Sequence, residues 1–149
     1  MISYIMHVGI TVSDIERSIS FYRDILGLKF EGELLMEGPE TDILFAQKDC
    51  HVRIAYLNGS THLFAPPIEL LQFSSTDGHT HPSLFKTSIS EVCFATDDIE
   101  KEYERLLQKG VEFLSEPQTF DYTSSGFGKS KAVYFKDPDG IILELMQTL

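Results

Sequence analysis

The chain has 149 residues, of which 42% are hydrophobic and 23% charged, and its net charge is −11 at pH 7. This length predicts one globular domain over residues 1–149 with a substantial core. The strong negative charge argues against nucleic acid or an anionic membrane as a partner, but it permits an anionic small molecule in a locally positive pocket.

The first half of the chain predicts strands around one helix. Residues 2–12 have the β-branched pattern of a strand. A helix then begins, either with Ser13 as its cap and Glu16 completing a capping box, or with Asp14 as its cap. Apolar residues continue at helical spacing, and Gly27 is placed to end the helix. Strand-like runs follow at 28–36, 42–47, 51–57 and 67–73. The runs 42–47 and 51–57 are either two strands or one bent strand.

The second half repeats this order. The stretch from His7 to Asp14 has a second copy from Glu91 to Asp98, 84 residues later. Residues 90–96 predict a strand, and the helix after it ends at Gly110. Residues 115–130 are interpreted as irregular. Strands are predicted at 111–114, 131–135 and 141–146, the last of them after the turn Asp137-Pro138-Asp139-Gly140.

The order strand-helix-strand-strand-strand therefore occurs twice. We expect an α+β fold in which two tandem βαβββ units, over about 1–74 and 88–149, form a curled mixed sheet. A polar loop at 74–88 joins them, and a loop of this length inside a domain is usually functional or a linker.

The two cysteines, Cys50 and Cys93, lack the spacing of a zinc site, and each lies in an apolar strand pattern. Buried free thiols are therefore expected, which fits a reducing, cytoplasmic compartment. The N-terminus lacks a basic region followed by a long apolar run, and no apolar run approaches the roughly 18 residues of a membrane span. Neither a signal peptide nor a membrane helix is predicted.

Polar residues recur at equivalent places in the two units. His7 and Glu91 each head the first strand, and Glu69 and Glu144 each interrupt the apolar last strand. A carboxylate among apolar neighbours needs a partner or a metal, because burial of an isolated ion is very costly. If the sheet curls, the four side chains can point to one place. An imidazole and three carboxylates suit a divalent first-row metal such as Zn, Ni, Mn or Fe.

Four segments carry a family resemblance: HVGITVSDIERSISFYRDILGL at 7–28, PIELLQF at 67–73, EVCFATDDIEKEYERLLQKG at 91–110 and YFKDPDGIILEL at 134–145. With them the chain resembles the vicinal oxygen chelate superfamily, which includes glyoxalase I, methylmalonyl-CoA epimerase, fosfomycin-resistance proteins and extradiol dioxygenases. The resemblance covers nearly the whole chain. It implies paired βαβββ units with metal ligands at His7, Glu69, Glu91 and Glu144.

Glu91 departs from the pattern of this superfamily, whose members usually have histidine at the head of the second unit. The departure weakens the interpretation as a dioxygenase or a fosfomycin-resistance protein, which resemble a site with two histidines and one glutamate. Glu91 is either a fourth ligand, which would make the site more anionic, or a general base beside the metal. The ligand role is favoured, because its position in the repeat matches that of His7.

Substrate-binding candidates come from charged and aromatic residues elsewhere. Arg53, Lys129 and Lys131 are candidates to hold an anionic substrate, although each taken singly is more often a solvated charge. The aromatic residues of the irregular stretch either line a pocket or plug the barrel; they are Phe120, Tyr122 and Phe127. The pair His79 and His81 has metal-binding spacing, but in a polar loop it is more often solvated.

The resemblance implies a metal-dependent, glyoxalase-like lyase or isomerase that acts on a small carbonyl compound or its thiol adduct. The metal would stabilise an enolate while Glu144 or Glu69 moves a proton from carbon. The alternatives are a metal-free, bleomycin-resistance-like binding protein and an extradiol-type dioxygenase. A homodimer is expected, with the site formed either within one chain or across the dimer.

Overall fold

The computed structural model describes residues 7–58, 68–74, 89 and 91–149. The chain divides into two compact units, Met1–His79 and Thr80–Leu149, each with its own four-stranded sheet. The α+β architecture of two units with mixed sheets, predicted from the internal repeat, is confirmed. Most of the predicted loop 74–88 lies outside the described residues.

Within the residues that the structure describes, the first unit contains four strands, two short α-helices and a π-helical turn. In chain order the elements are β1 (Val8–Thr11), α1 (Ile15–Ser20), β2 (Lys29–Met36), α2 (Pro39–Phe45), β3 (Val52–Asn58) and β4 (Ile68–Phe73). The strand order is β1-β4-β3-β2, with β1 parallel to β4 and the other pairs antiparallel. Helix α1 lies against β4 and β3. Buried side chains of these elements, among them Ile15, Ile54 and Leu70, make up the core.

The second unit repeats this arrangement. Its elements are β5 (Val92–Ala95), α3 (Ile99–Gln108), β6 (Gln118–Tyr122), β7 (Gly128–Lys136) and β8 (Ile142–Thr148). The strand order is β5-β8-β7-β6, and β5 is parallel to β8. Helix α3 lies against β8, and Ile99, Leu106 and Leu143 are fully buried. In both units the last strand is therefore central and has the first strand as its parallel neighbour.

The helix starts confirm one of the two predicted caps. The Asp14 side chain accepts a hydrogen bond from the Arg17 backbone N–H at 3.1 Å, so Asp14 caps α1 and the capping box from Ser13 to Glu16 is wrong. Asp98 caps α3 in the same way, with the Lys101 N–H at 3.1 Å. An aspartate oxygen satisfies a backbone donor that has no partner within the helix.

A glutamine three residues after each buried glutamate ties the helix start to the last strand. The Gln72 side chain donates to the Ser13 carbonyl at 2.8 Å, and the Gln147 side chain donates to the Asp97 carbonyl at 2.8 Å. Because Gln72 lies in β4 and Gln147 in β8, each bond fixes where its helix leaves the first strand.

The predicted strand at 42–47 is wrong, because the chain forms α2 there instead. Pro39 at the first helical position and the acidic Glu40 and Asp42 in the first turn favour a helix N-terminus. Asp42 also accepts hydrogen bonds from the backbone N–H groups of Asp49 and Cys50, which folds the following loop onto the helix. The run 51–57 is a single strand, β3.

Residues 115–130 are more regular than predicted. They contain β6, a 3-10 turn at Thr123–Ser125 and the start of β7. Every residue of β6 is exposed, Phe120 and Tyr122 included, so β6 lacks the alternation of buried and exposed residues that marks a half-buried strand. The strand predicted at 111–114 forms only an isolated bridge between Phe113 and Phe135.

The first predicted helix is α-helical only in its first part. After α1 the chain continues as a π-helical turn, Phe21–Ile25, and Gly27 follows with a φ of +84° that favours glycine, as predicted for the helix end. Cys50 is buried as expected, but Cys93 is exposed, because it lies on the open face of edge strand β5, whose other face, with Val92 and Phe94, is half-buried. None of the helices in the described ranges is both long and apolar enough to cross a membrane.

Candidate functional site

His7 and Glu69 form a contact pair in the first unit. His7 Nε2 lies 3.1 Å from Glu69 Oε2, with the imidazole partly exposed and the carboxylate largely buried. The other carboxylate oxygen, Oε1, accepts a hydrogen bond from the Tyr56 hydroxyl at 2.9 Å. Both oxygens of Glu69 therefore have a protein partner.

The strand register brings these groups together. Glu69 lies opposite Gly9 in the parallel β1–β4 pair and opposite Tyr56 in the antiparallel β3–β4 pair. His7 is two residues before Gly9, so the alternation of a strand places it on the same face as Gly9. The parallel pairing of β1 with β4 is thus what joins the head of the first strand to the middle of the last.

Gly9 leaves space for the Glu69 carboxylate. A β-carbon at this position would lie 3.4 Å from Glu69 Oε2 and 3.2 Å from Leu71 Cδ1. The first distance is an ordinary van der Waals contact and the second is tight, so glycine leaves open space beside the carboxylate and next to Leu71.

Glu144 has the equivalent position in the second unit, with different neighbours. It lies opposite Cys93 in the parallel β5–β8 pair and opposite Tyr134 in the antiparallel β7–β8 pair. Glu144 is buried to the same degree as Glu69, each being 8% exposed. A cysteine therefore replaces the glycine of the first unit, and Glu91 replaces its histidine.

The electrostatics of the second unit keep the thiol protonated. Cys93 is exposed as a residue, but its thiol is partly covered; this partial burial, a hydrogen bond with Glu144, and the negative charges of Glu144 and Glu91 raise the pKa of Cys93 to about 12. Burial and the same two carboxylates also raise the pKa of Tyr134. In the first unit, burial and the hydrogen bond and charge of Glu69 raise the pKa of Tyr56. All three neutral groups are held in their protonated, hydrogen-donating form.

The four predicted metal ligands fall into two pairs, His7 with Glu69 in the first unit and Glu91 with Glu144 in the second. Within the described ranges, no group of three or more histidine, cysteine, aspartate or glutamate side chains is arranged to hold a metal ion. The chemistry of the donors fits a divalent ion, because imidazole nitrogen and carboxylate oxygen are its usual ligands. Binding of one ion by all four residues stays a prediction.

The predicted substrate-binding cations lie on the strands next to those of the buried glutamates, Arg53 on β3 beside β4 and Lys129 and Lys131 on β7 beside β8. Arg53 forms ion pairs with Glu16 at 2.6 Å and Glu33 at 3.1 Å. Lys129 pairs with Asp121 at 3.1 Å, and Lys131 pairs with Glu100. These cations already have carboxylate partners, and their substrate role stays a prediction. His79 and His81 lie outside the described residues.

The predicted aromatic group is on the surface of the second unit. The rings of Phe120 and Tyr122 stack at a centroid distance of 5.9 Å on edge strand β6, and Phe127 is 85% exposed. Since all three side chains face solvent, they do not fill the core of that unit. Their role toward a substrate stays a prediction.

Sequence reasoning missed Gly9 and Tyr56 next to Glu69, and Cys93 and Tyr134 next to Glu144. The signal was present in the repeat. Tyr56 lies 13 residues before Glu69, and Tyr134 lies in the corresponding third strand before Glu144. An alignment of the two units beyond their first and last strands would have paired the two tyrosines.

A family model described as the glyoxalase/bleomycin resistance protein/dioxygenase superfamily matches residues 4–145. The chain belongs to this superfamily. It is 32% identical over 136 residues to metallothiol transferase FosB of Lysinibacillus sphaericus, covering 91% of this chain and 76% of that protein. It is 25% identical over 145 residues to a probable lactoylglutathione lyase of Synechocystis sp., covering 97% and 95%.

Solved structures agree with this superfamily assignment. A glyoxalase family protein from Bacillus cereus matches with a TM-score of 0.84 and 23% identity, over 100% of this chain and 96% of that chain. At this identity the likeness shows the fold alone. Superfamily folds of this kind are used for several reactions, so the reaction has to be argued from the side chains.

Proposed function

We propose that this superfamily member is a divalent-metal-dependent lyase or isomerase that acts on a small carbonyl compound or its thiol adduct. The observation that carries the proposal is the duplicated placement of a buried glutamate, Glu69 in β4 and Glu144 in β8. Each lies beside the strand whose head carries a second ligand candidate, His7 or Glu91. Buried carboxylates of this kind are retained where they bind a metal or take part in chemistry.

The relatives support the same class of reaction. Superfamily members typically bind divalent metals. The names of two relatives, a metallothiol transferase and a probable lactoylglutathione lyase, both refer to thiol compounds. A thiol adduct of a carbonyl compound is therefore the first substrate class to test.

The four ligand candidates would hold the ion as one imidazole and three carboxylates. A bound divalent ion would supply Lewis acidity toward neighbouring oxygens of the substrate. His7 and Glu69 provide a neutral and an anionic donor, and Glu91 and Glu144 provide two anionic donors. A set with three carboxylates would bind a divalent ion strongly but leave it less electrophilic than a set rich in histidine.

Glu144 is the better candidate for moving the proton. Both oxygens of Glu69 are engaged, by His7 Nε2 and by the Tyr56 hydroxyl. Glu144 has the Cys93 thiol beside it, and that thiol, a weak donor, donates to the Phe94 carbonyl at 4.0 Å. A carboxylate with a weaker partner is easier to turn toward a substrate carbon. Glu144 would accept a proton from one carbon and return it to the next.

The proposal is tested on the full chain by metal analysis and turnover. After incubation with Zn²⁺, Ni²⁺, Mn²⁺ or Fe²⁺ and dialysis, we expect about one ion per chain. Disappearance of the adduct of methylglyoxal with a small thiol is then followed for the wild type, Glu144→Gln and Glu104→Gln. We expect Glu144→Gln to lose at least about 100-fold in turnover, the lower range for loss of a general base.

Glu104→Gln is the matched control, since Glu104 is an exposed glutamate on α3. A wild-type protein that retains none of the four metals would favour the binding-protein interpretation. Full turnover by Glu144→Gln would contradict the role of Glu144 in proton transfer. Oxygen uptake with catechols and ferrous ion would favour the dioxygenase interpretation instead.

A further inference from the structure

Tyr56 lies beside the predicted ligand Glu69 and is not among the predicted ligands. Its hydroxyl donates to Glu69 Oε1 at 2.9 Å, while Oε2 lies 3.1 Å from His7 Nε2. Because the two contacts use different oxygens, together they fix the rotation of the carboxylate about its terminal bond. A glutamate without such contacts rotates about three side-chain bonds and loses that freedom on binding.

We propose that Tyr56 is a positioning residue: its hydroxyl holds one oxygen of Glu69 so that the other faces His7. This inference rests on the proposed function for its metal-binding consequence. A hydrogen bond to a charged acceptor is stronger than one between neutral groups, so the restraint is effective even in a partly buried site. Second partners of this kind orient ligands and raise metal affinity.

The backbone supports this role. Tyr56 is directly opposite Glu69 in the antiparallel β3–β4 pair, next to the flanking pairs Ala55–Leu70 and Leu57–Ile68, whose side chains are all buried. The backbone of Tyr56 is therefore held in place by its neighbours in the sheet, and this fixes the position from which the hydroxyl reaches Glu69 Oε1. A hydroxyl on a mobile loop would not restrain Glu69 in this way.

Tyr134 provides the internal control. It is opposite Glu144 in the β7–β8 pair, as Tyr56 is opposite Glu69. Across the described ranges the interactions found for Tyr134 are burial and the nearby charges of Glu144, Glu91 and Cys93, and they include no hydrogen bond to Glu144. Removal of the two hydroxyls should therefore have unequal effects on their glutamates.

The experiment compares the wild type, Tyr56→Phe and Tyr134→Phe as full chains. Crystal structures without metal show where the Glu69 carboxylate points, and calorimetry with Zn²⁺ alone measures affinity. We expect Glu69 Oε2 to move away from His7 in Tyr56→Phe and Zn²⁺ affinity to fall about 10–100-fold. For Tyr134→Phe we expect less than about a threefold change. In Co²⁺-loaded protein, only Tyr56→Phe should shift the visible absorption bands.

A double-mutant cycle separates positioning from a general structural effect. If Tyr56 acts through Glu69, Tyr56→Phe should weaken Zn²⁺ binding in the wild type but change little in a Glu69→Gln background. An equal loss in both backgrounds would overturn the positioning role, as would an unmoved Glu69 with unchanged affinity in Tyr56→Phe. In the wild type, NMR should detect a slowly exchanging Tyr56 hydroxyl proton, and rapid exchange would also overturn the proposal.

The two proposals fail in different ways. A wild-type protein that retains none of Zn²⁺, Ni²⁺, Mn²⁺ and Fe²⁺ refutes the proposed function, and the metal-free structure of Tyr56→Phe then still decides whether Tyr56 positions Glu69. A wild-type protein that binds Zn²⁺ with the same affinity as Tyr56→Phe, with Glu69 in place in both, refutes the positioning role alone.

Discussion

The two units use the same strand pairing to place a buried glutamate but surround it differently. Glu69 has an imidazole on one oxygen and a phenol hydroxyl on the other. Glu144 has a thiol beside it and shares its surroundings with a second carboxylate, Glu91. In the first unit His7 and Tyr56 therefore hold the Glu69 carboxylate in place. In the second unit two carboxylates, Glu144 and Glu91, lie near the Cys93 thiol, which is a weak donor.

This difference shows how two units of one fold can give a buried glutamate different chemical surroundings. Register decides that position 9 faces Glu69 and position 93 faces Glu144. The first strand therefore presents no side chain to Glu69, at Gly9, and a thiol to Glu144, at Cys93. The backbone hydrogen bonds of a parallel strand pair do not involve these side chains, so β1–β4 and β5–β8 pair in the same way.

The largest expected effect concerns the Cys93 thiol. Its pKa of about 12 leaves little thiolate at pH 8, although the residue is exposed. In Cys50→Ser protein, we expect Cys93 to react with iodoacetamide on the order of 100-fold slower than a free thiol. This value allows for the higher intrinsic nucleophilicity of a thiol with a high pKa. Mass spectrometry measures the rate.

The pH dependence of the Cys93 labelling rate tests the raised pKa of this thiol directly. Because the thiol loses its proton only near pH 12, the rate should rise about tenfold per pH unit between pH 8 and 11, where an ordinary thiol levels off above pH 9. Glu144→Gln should accelerate labelling at pH 8, since it removes a negative charge beside the thiol. A plateau near pH 9 in the Cys50→Ser protein would contradict the described environment.

The second prediction concerns the two residues that face the glutamates, Gly9 and Cys93, each of which is changed to alanine. We expect Gly9→Ala to weaken Zn²⁺ binding about tenfold, because its β-carbon would crowd Leu71 Cδ1 at 3.2 Å and fill the open space beside Glu69 Oε2, 3.4 Å away. Cys93→Ala, which removes atoms beside Glu144, should change affinity by less than about threefold. Calorimetry measures both variants. An equal loss in the two would mean that the glycine has no special relation to Glu69.

The third prediction tests whether the helix starts of the two units are equivalent. Asp14→Ala and Asp98→Ala each remove an acceptor for a backbone N–H at 3.1 Å. Each variant should lower the free energy of unfolding by about 1 kcal/mol, measured by urea denaturation. Ser13→Ala is the control, and it should cost less, since Ser13 does not cap the helix. A larger loss in Ser13→Ala than in Asp14→Ala would restore the capping-box interpretation.

The smallest effect is expected at Arg53. Its ion pairs with Glu16 and Glu33 are on the surface of the first unit, where such pairs contribute about 0–1 kcal/mol. Arg53→Ala should therefore barely change stability, and that small change should vanish at high salt. A raised KM with unchanged kcat in the same variant would support the predicted substrate role of Arg53. An unchanged KM would leave it as a surface ion pair.

The sequence determined the parts of the molecule that depend on neighbours along the chain. Asp14 and Asp98 cap helices because an aspartate oxygen reaches a backbone donor three residues later. The apolar runs around Glu69 and Glu144 predicted the last strands, and the repeat predicted two units of one design. The helix at 39–45 was missed, since seven residues carry a weak helical pattern and Ile43 and Leu44, which suggested a strand, are exposed.

The tertiary structure decided which side chains meet. His7 and Glu69 are 62 residues apart in the chain, and only the parallel pairing of β1 with β4 brings their atoms to 3.1 Å. The Tyr56 hydroxyl reaches Glu69 through the register of β3 with β4. A shift of one residue in either pairing would turn the partner to the opposite face. The sequence specifies which side chain stands at each position, but strand register depends on packing of the whole sheet. That packing decided which side chains became the partners of Glu69 and of Glu144.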